Sequence, residues 1–131
     1  MPEEQLPTTE PIINETPVTK IYPTQPDADG YYFEDESDEG AGIKTKVYEN
    51  GNKIKTVVLP SSSKTVVVRE LIGKDTKEVS RFMGGDQERY PMAIATVATT
   101  IDGTKQIFEY FEQLKMKDYT LILSMCKDLN F

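Results

Sequence analysis

The sequence predicts an α+β protein in which a small antiparallel β-sheet, a hairpin plus a third strand, precedes a cluster of three to four helices. Residues 43–71 alternate between apolar and polar types, as strands do, and from residue 75 onward apolar residues recur at helical spacing. A third observation is the acidic, proline-rich stretch over residues 1–42. It predicts a disordered leader followed by one α+β domain over residues 43–131.

The leader is set apart by its charge. Residues 1–42 carry 11 acidic residues, one basic residue and six of the eight prolines, whereas residues 43–131 carry 11 acidic and 14 basic residues. Such a leader buries too little apolar surface to offset the entropy of ordering it. We therefore expect residues 1–42 to be disordered.

A β-hairpin is predicted at Asn50-Gly51, because both central residues of a two-residue type I′ turn need positive φ. Pairing across a two-residue loop sets Val47 opposite Ile54 on an apolar face that we expect to contact the helices. The opposite face then carries four lysines, Lys44, Lys46, Lys53 and Lys55. Two interpretations remain open for this lysine face: an ordinary solvated surface, or a site for an acidic partner, the leader included.

A third strand and a first helix follow the hairpin. Residues 64–71 are rich in β-branched types, which favours a strand. Asp75 and Glu78 have the spacing of a capping box, which predicts a helix that runs to Met83 and ends at Gly84-Gly85.

Three further apolar stripes predict the remaining helices. Pro91 suits the first turn of one helix, Asp102-Gly103 ends it, and Asp118 is the expected N-cap of the last. The stripes have the spacing i, i+3, i+4 and i+7 and comprise Ile94, Val97, Ala98 and Ile101; then Ile107, Tyr110, Phe111 and Leu114; then Ile122, Met125, Cys126 and Leu129.

The composition argues against several classes of function. The chain has no His, which excludes Ser-His-Asp and Cys-His catalysis and imidazole metal sites, and its single Cys126 lies on an apolar stripe as a small buried hydrophobe would. We expect no enzymatic activity, no metal and no cofactor. An acidic N-terminus and the lack of an apolar run of about 20 residues predict an intracellular protein without a signal peptide or membrane span.

The penultimate predicted helix carries aromatic residues of the type that stacks on nucleic-acid bases. Phe108 and Phe111 lie next to Glu109 and Glu112, which would repel phosphates, so a core or a protein interface is favoured and no nucleic acid is expected.

Several segments resemble the small tail assembly chaperones of contractile-tailed bacteriophages. They are residues 55–60 (KTVVLP), 66–71 (VVVREL), 93–98 (AIATVA) and 111–119 (FEQLKMKDY), and the resemblance covers residues 53–131. It implies a non-enzymatic protein of the bacterial cytoplasm that binds the tape-measure protein and helps to recruit tail-tube subunits.

Two other classes remain open: a permanent structural subunit of a tail, baseplate or related contractile injection system, and an acidic mimic of nucleic acid whose activity lies in the leader. Homo-oligomerisation is also left open. The candidate partner-binding residues are Lys44, Lys46, Lys53, Lys55, Phe108, Phe111 and Tyr119.

Overall fold

A five-stranded antiparallel sheet lies at the centre of the computed structural model, which describes residues 20–131. The strands lie in chain order across the sheet. They are β1 (Lys44–Val47), β2 (Lys53–Val58), β3 (Thr65–Arg69), β4 (Thr99–Ile101) and β5 (Thr104–Lys105). The helices are α1 (Glu36–Ala41), α2 (Thr76–Met83), α3 (Tyr90–Ala98), α4 (Phe108–Glu112) and α5 (Met116–Asn130), with short 3-10 turns at Gly73–Asp75 and Gln87–Arg89.

The α+β class is confirmed. The predicted hairpin and third strand correspond to β1, β2 and β3, and the four predicted helices correspond to α2 through α5. The helices pack on one side of the sheet, where α5 contacts β2 and β3 and α3 contacts β3. Antiparallel sheets commonly have one such packed face and one face toward solvent.

The core lies between the inward face of the sheet and helices α3 and α5. Inward residues of neighbouring strands, such as Val57 and Val66, are directly paired and buried. The predicted stripe of α5 is confirmed, because Ile122, Met125 and Cys126 are all buried. Leu59 and Phe111 are among the largest side chains that are fully buried.

The turn between β1 and β2 has three residues, Glu49, Asn50 and Gly51, and not two, because Tyr48 and Asn52 on either side of it are hydrogen-bonded to each other. Gly51 donates its N–H to the Tyr48 carbonyl at 2.9 Å, and Tyr48 donates to the Asn52 carbonyl at 2.8 Å. Gly51 has φ of 89°, whereas Asn50 is not among the residues with positive φ. This is the pattern of a type I turn followed by a left-handed glycine, so the expected type I′ turn is wrong although the turn site is right.

The extra turn residue shifts the predicted register by one position. Lys46, not Val47, lies opposite Ile54, and Val47 lies opposite Lys53. A shift of one residue turns a strand's side chains to the other face. Val47 and Ile54 therefore do not form the expected pair against the helices: Ile54 is on the outward face, and Val47 is 46% exposed at the sheet edge.

A second hairpin was missed at Asp102-Gly103. Both residues have positive φ, 50° and 83°, and Ile101 pairs with Thr104 across them. These are the features of a two-residue type I′ turn. Ile101 was expected on the stripe of a helix, but α3 ends at Ala98 and Ile101 lies in β4. The sequence pattern did not reveal this strand, because three residues are too few to show the periodicity of a strand.

The N-terminal boundary of the ordered domain also differs from the expectation. Residues 36–41, predicted to be disordered, form α1, and Tyr32 makes an isolated bridge with Thr45 at the edge of β1. The predicted disorder is thus wrong for residues 20–42, because this segment finds hydrogen-bond partners on the sheet. Residues 1–19 lie outside the described part of the chain.

Neither predicted N-cap caps the α-helix for which it was predicted, because neither helix has a side-chain capping hydrogen bond at its N-terminus. The carboxylate of Asp75 instead accepts from the two terminal guanidinium nitrogens of Arg69, each at 3.1 Å, and from the Ile72 N–H at 2.8 Å. Asp118 lies buried within the first turn of α5 and accepts from the Ser61 N–H at 2.9 Å. Donors from elsewhere in the fold therefore replace the helix's own N–H groups as partners.

Candidate functional site

The structure divides the four hairpin lysines between the two faces of the sheet. Lys44 and Lys46 point outward, whereas Lys53 and Lys55 point toward the helices, as the observed register requires. The prediction of one face with four lysines is therefore wrong. The extra turn residue is the cause, because it moves the lysines of β2 to the face opposite the predicted one and leaves the lysines of β1 on the predicted face.

Lys55 lies at the centre of a buried charge cluster. Its side chain is 2% exposed, and its Nζ lies 2.9 Å from Asp38 Oδ2, 2.9 Å from Glu34 Oε1 and 3.4 Å from Asp128 Oδ2. Lys53 joins the cluster, with its Nζ at 2.9 Å from Glu34 Oε2. A buried ammonium is stable only when its charge is paired and hydrogen-bonded in this way.

The pKa values in the cluster reflect the balance between burial and pairing. Burial opposes the charge on Lys55, but hydrogen bonds to Asp38 and Glu34 outweigh it and raise the pKa of Lys55 above its ordinary value. Burial raises the pKa of Asp38, with Lys55 opposing this shift. For Glu34 the two lysines outweigh burial and lower the pKa. Lys55 is therefore held as a cation, and its role is to anchor carboxylates.

The carboxylates of the cluster belong mostly to the N-terminal segment. Glu34 and Asp38 precede β1, and Tyr32 is joined to Thr45 by two backbone hydrogen bonds of 2.9 and 2.7 Å. Glu39 accepts hydrogen bonds from both Lys20 and Tyr22. The acidic segment does pair with hairpin lysines, but with the inward pair and in a buried cluster.

The outward face of the sheet is covered by none of the described helices. One row of directly paired residues crosses it from Lys44 through Thr56, Val67 and Thr100 to Lys105. None of the outward strand positions is acidic, and the central ones are uncharged and β-branched: Ile54, Thr56, Val58, Thr65, Val67 and Thr100. Solvated sheet faces are usually polar, so this composition is typical of a face that contacts another molecule.

The cations of this outward face differ in their availability. Within residues 20–131, neither Lys44 nor Lys46 forms an ion pair with a carboxylate. Lys46 lies 5.2 Å from the ring centres of both Tyr31 and Tyr48. Arg69 is bound by Asp75, so the available positive charge lies along β1.

The predicted aromatic site residues belong to the interior. Phe108 is 3% and Phe111 1% exposed, and Phe108 stacks on Phe82 with ring centres 6.3 Å apart. Residues at helical spacing also pack a core, and the role of Phe108 and Phe111 in partner binding stays a prediction. Tyr119 is half-buried, and burial raises the pKa of its hydroxyl.

A second apolar surface surrounds Phe131, which directly follows the C-terminal end of α5. Phe131 is 76% exposed and makes an edge-to-face contact with Tyr90, with ring centres 6.4 Å apart. Two cavities of about 410 and 290 Å³ share Tyr90, Ile94 and Phe131 in their walls. The stripe patterns did not single out this surface, since both aromatic residues lie outside them.

The described residues offer little for other chemistry. Cys126 is buried, which raises the pKa of its thiol to about 11 and leaves little thiolate at neutral pH. Across residues 20–131 there is no cluster of three or more His, Cys, Asp or Glu side chains that could hold a metal ion. None of the helices described above is long and apolar enough to cross a membrane.

Comparisons of the chain with protein-family models, with curated proteins and with solved structures found no match.

Proposed function

We propose that the protein is a non-enzymatic tail assembly chaperone of a contractile-tailed bacteriophage, acting in the cytoplasm of the bacterial host. It binds the tape-measure protein and helps to recruit tail-tube subunits. The proposal starts from the resemblance of residues 53–131 to that family.

The observation that carries the proposal is the outward face of the sheet. A chaperone of this kind needs a surface for a long polypeptide, and this face combines uncharged β-branched residues with Lys44 and Lys46, which form no ion pair within residues 20–131. The inward lysines are already bound by Glu34 and Asp38. Positive charge on the outward face therefore remains available to a partner, while the inner charge maintains the fold.

Co-expression with the tape-measure protein of the same genome, followed by affinity capture through a tag on the tape-measure protein, tests the proposal. We expect the wild-type chain to be captured and the Lys44→Glu/Lys46→Glu variant to be captured poorly. Lys117→Glu/Lys127→Glu is the matched control, because it makes the same charge change on exposed positions of α5.

Composition of the finished particle separates this function from that of a permanent subunit. A chaperone is absent from purified mature particles, as mass spectrometry would show. Recovery of the chain in stoichiometric amount from those particles, without capture by the tape-measure protein, would establish the structural-subunit alternative instead.

A further inference from the structure

We propose that the outward face of the sheet holds an amphipathic α-helix of the partner, with an apolar stripe over β2 and β3 and acidic side chains along the flank that faces β1. The inference rests on the proposed function, because it specifies which kind of segment of the partner is bound. It commits to a helix of another protein as the occupant.

The width of the face suits one helix. Five strands place β1 and β5 about 19 Å apart, and a helix with its side chains is about 10–12 Å across. A helix lying along β2 and β3 would therefore cover the central positions and leave β1 free at its side. The outward residues beneath it are Ile54, Val58 and Val67, with threonines between them and with Arg69, which is bound by Asp75, at one end of β3.

The charges on the two edges are unequal, and this sets the orientation. On β1, Lys44 is exposed and neither it nor Lys46 is ion-paired in the part of the chain described here. At the other edge, the Lys105 ammonium turns toward the helical layer, 3.3 Å from the Val97 carbonyl and 3.7 Å from Glu78. Acidic residues of the bound helix are therefore expected on the β1 side.

The length of the strands limits how many residues of the bound helix can contact the sheet. The longest strand, β2, has six residues, which corresponds to about 20 Å and so to about 13 residues of helix. Three to four apolar residues at i, i+3, i+4 and i+7 would contact the sheet over this length.

Fluorescence anisotropy with the full chain and a labelled synthetic peptide tests the inference. The probe is a helical peptide of about 14 residues with leucines at i, i+3, i+4 and i+7 and glutamates along one flank. A second peptide has lysines in place of those glutamates. We expect the acidic peptide to bind, the basic peptide to bind at least about tenfold more weakly, and binding of the acidic peptide to weaken as salt rises.

Two pairs of variants locate the site. Lys44→Glu/Lys46→Glu should weaken binding about tenfold, whereas Lys117→Glu/Lys127→Glu should change it less than about twofold. Val58→Glu introduces a charge on the outward face, where Val58 is 59% exposed, and should also weaken binding about tenfold. Val47→Glu is its control, since Val47 is 46% exposed on the opposite side of the sheet. Thermal melts of each variant confirm that it is folded.

Three results would overturn the inference. The first is equal binding of both peptides. The second is that the peptide shifts the NMR signals of the Tyr90 and Phe131 amides and not those of the outward strand positions. The third is a dimer in sedimentation that Val58→Glu dissociates, which would identify a second copy of the chain as the occupant. The capture experiment with the tape-measure protein is read separately. Peptide binding without capture would disprove the proposed function but support the outward face as a helix-binding site. Capture without peptide binding would support the proposed function but disprove the helix-binding site.

Discussion

Lys55 and Asp38 form a buried ion pair, with 2.9 Å between Nζ and Oδ2, although one residue lies in the second strand and the other in a helix that precedes the sheet. Their side chains are 2% and 7% exposed. The pair fastens the N-terminal segment to the inward side of the hairpin.

Replacing Lys55 with methionine should destabilise the protein strongly. The substitution keeps much of the side-chain volume but leaves Asp38 without its buried cation and Glu34 with Lys53 alone, and breaking a buried ion pair costs about 3–5 kcal/mol. Urea unfolding followed by circular dichroism measures the change. Lys44→Met, at an exposed outward position, serves as the control and should stay within about 0.5 kcal/mol of wild type. Recovery of stability in Lys55→Met/Asp38→Asn would show that the unpaired carboxylate causes the loss.

Truncation should show where the ordered domain begins. A chain that starts at Ile43 lacks Glu34 and Asp38, so Lys55 keeps only the more distant Asp128, and we expect a loss of about 3 kcal/mol or more. A chain that starts at Lys20 keeps all of these contacts. Equal unfolding free energies for the two truncated chains would contradict the role given to residues 20–42.

The turn between β1 and β2 should tolerate change at Asn50 better than at Gly51. Gly51 has φ of 89°, so Gly51→Val should cost about 1–3 kcal/mol. Asn50→Ala removes one exposed hydrogen bond to the Asn52 N–H and should cost about 0.5 kcal/mol. Melting temperatures of the two variants make the comparison. A type I′ turn would instead penalise both substitutions, because both of its central residues need positive φ.

Asp75→Asn should destabilise the protein at neutral pH but not in acid. The Arg69 guanidinium, with help from the Ile72 N–H, holds the pKa of Asp75 below its ordinary value of 3.8. A lowered pKa contributes stability that is present above pH 3.8 and is lost as the pH falls through the folded-state value. We expect a difference of about 1 kcal/mol at neutral pH, since Arg69 is partly exposed to solvent. Unfolding free energies measured against pH should converge in acid, and a constant difference would contradict this account.

The sequence predicts most elements of this fold because their signals are local. Gly84 ends α2 with φ of 58°, and the apolar stripe of α5 is buried as its spacing predicts. The register of the first hairpin could not be predicted, since an Asn-Gly pair is compatible with both two-residue and three-residue turns. That single ambiguity reversed the assignment of Lys53 and Lys55.

The candidate site depends on contacts that are distant in sequence. Lys55 meets Asp38 from 17 residues away and Asp128 from 73 residues away. No local pattern distinguishes a lysine that will be buried from one that stays in solvent. Lys44 and Lys46 were predicted correctly as outward residues, because alternation within one strand does not depend on its partner's register.

The three-residue turn also acts as a selector of charge. Since side chains alternate along β2, the additional turn residue decides which lysines bind the protein's own carboxylates and which lie on the outward face. In the two-residue alternative Glu49 would lie opposite Asn52, all four lysines would share one side of the hairpin, and Glu34 and Asp38 would be left without Lys53 and Lys55. The conformation of one exposed turn thereby links the integrity of the N-terminal segment to the polarity of the surface offered to other molecules.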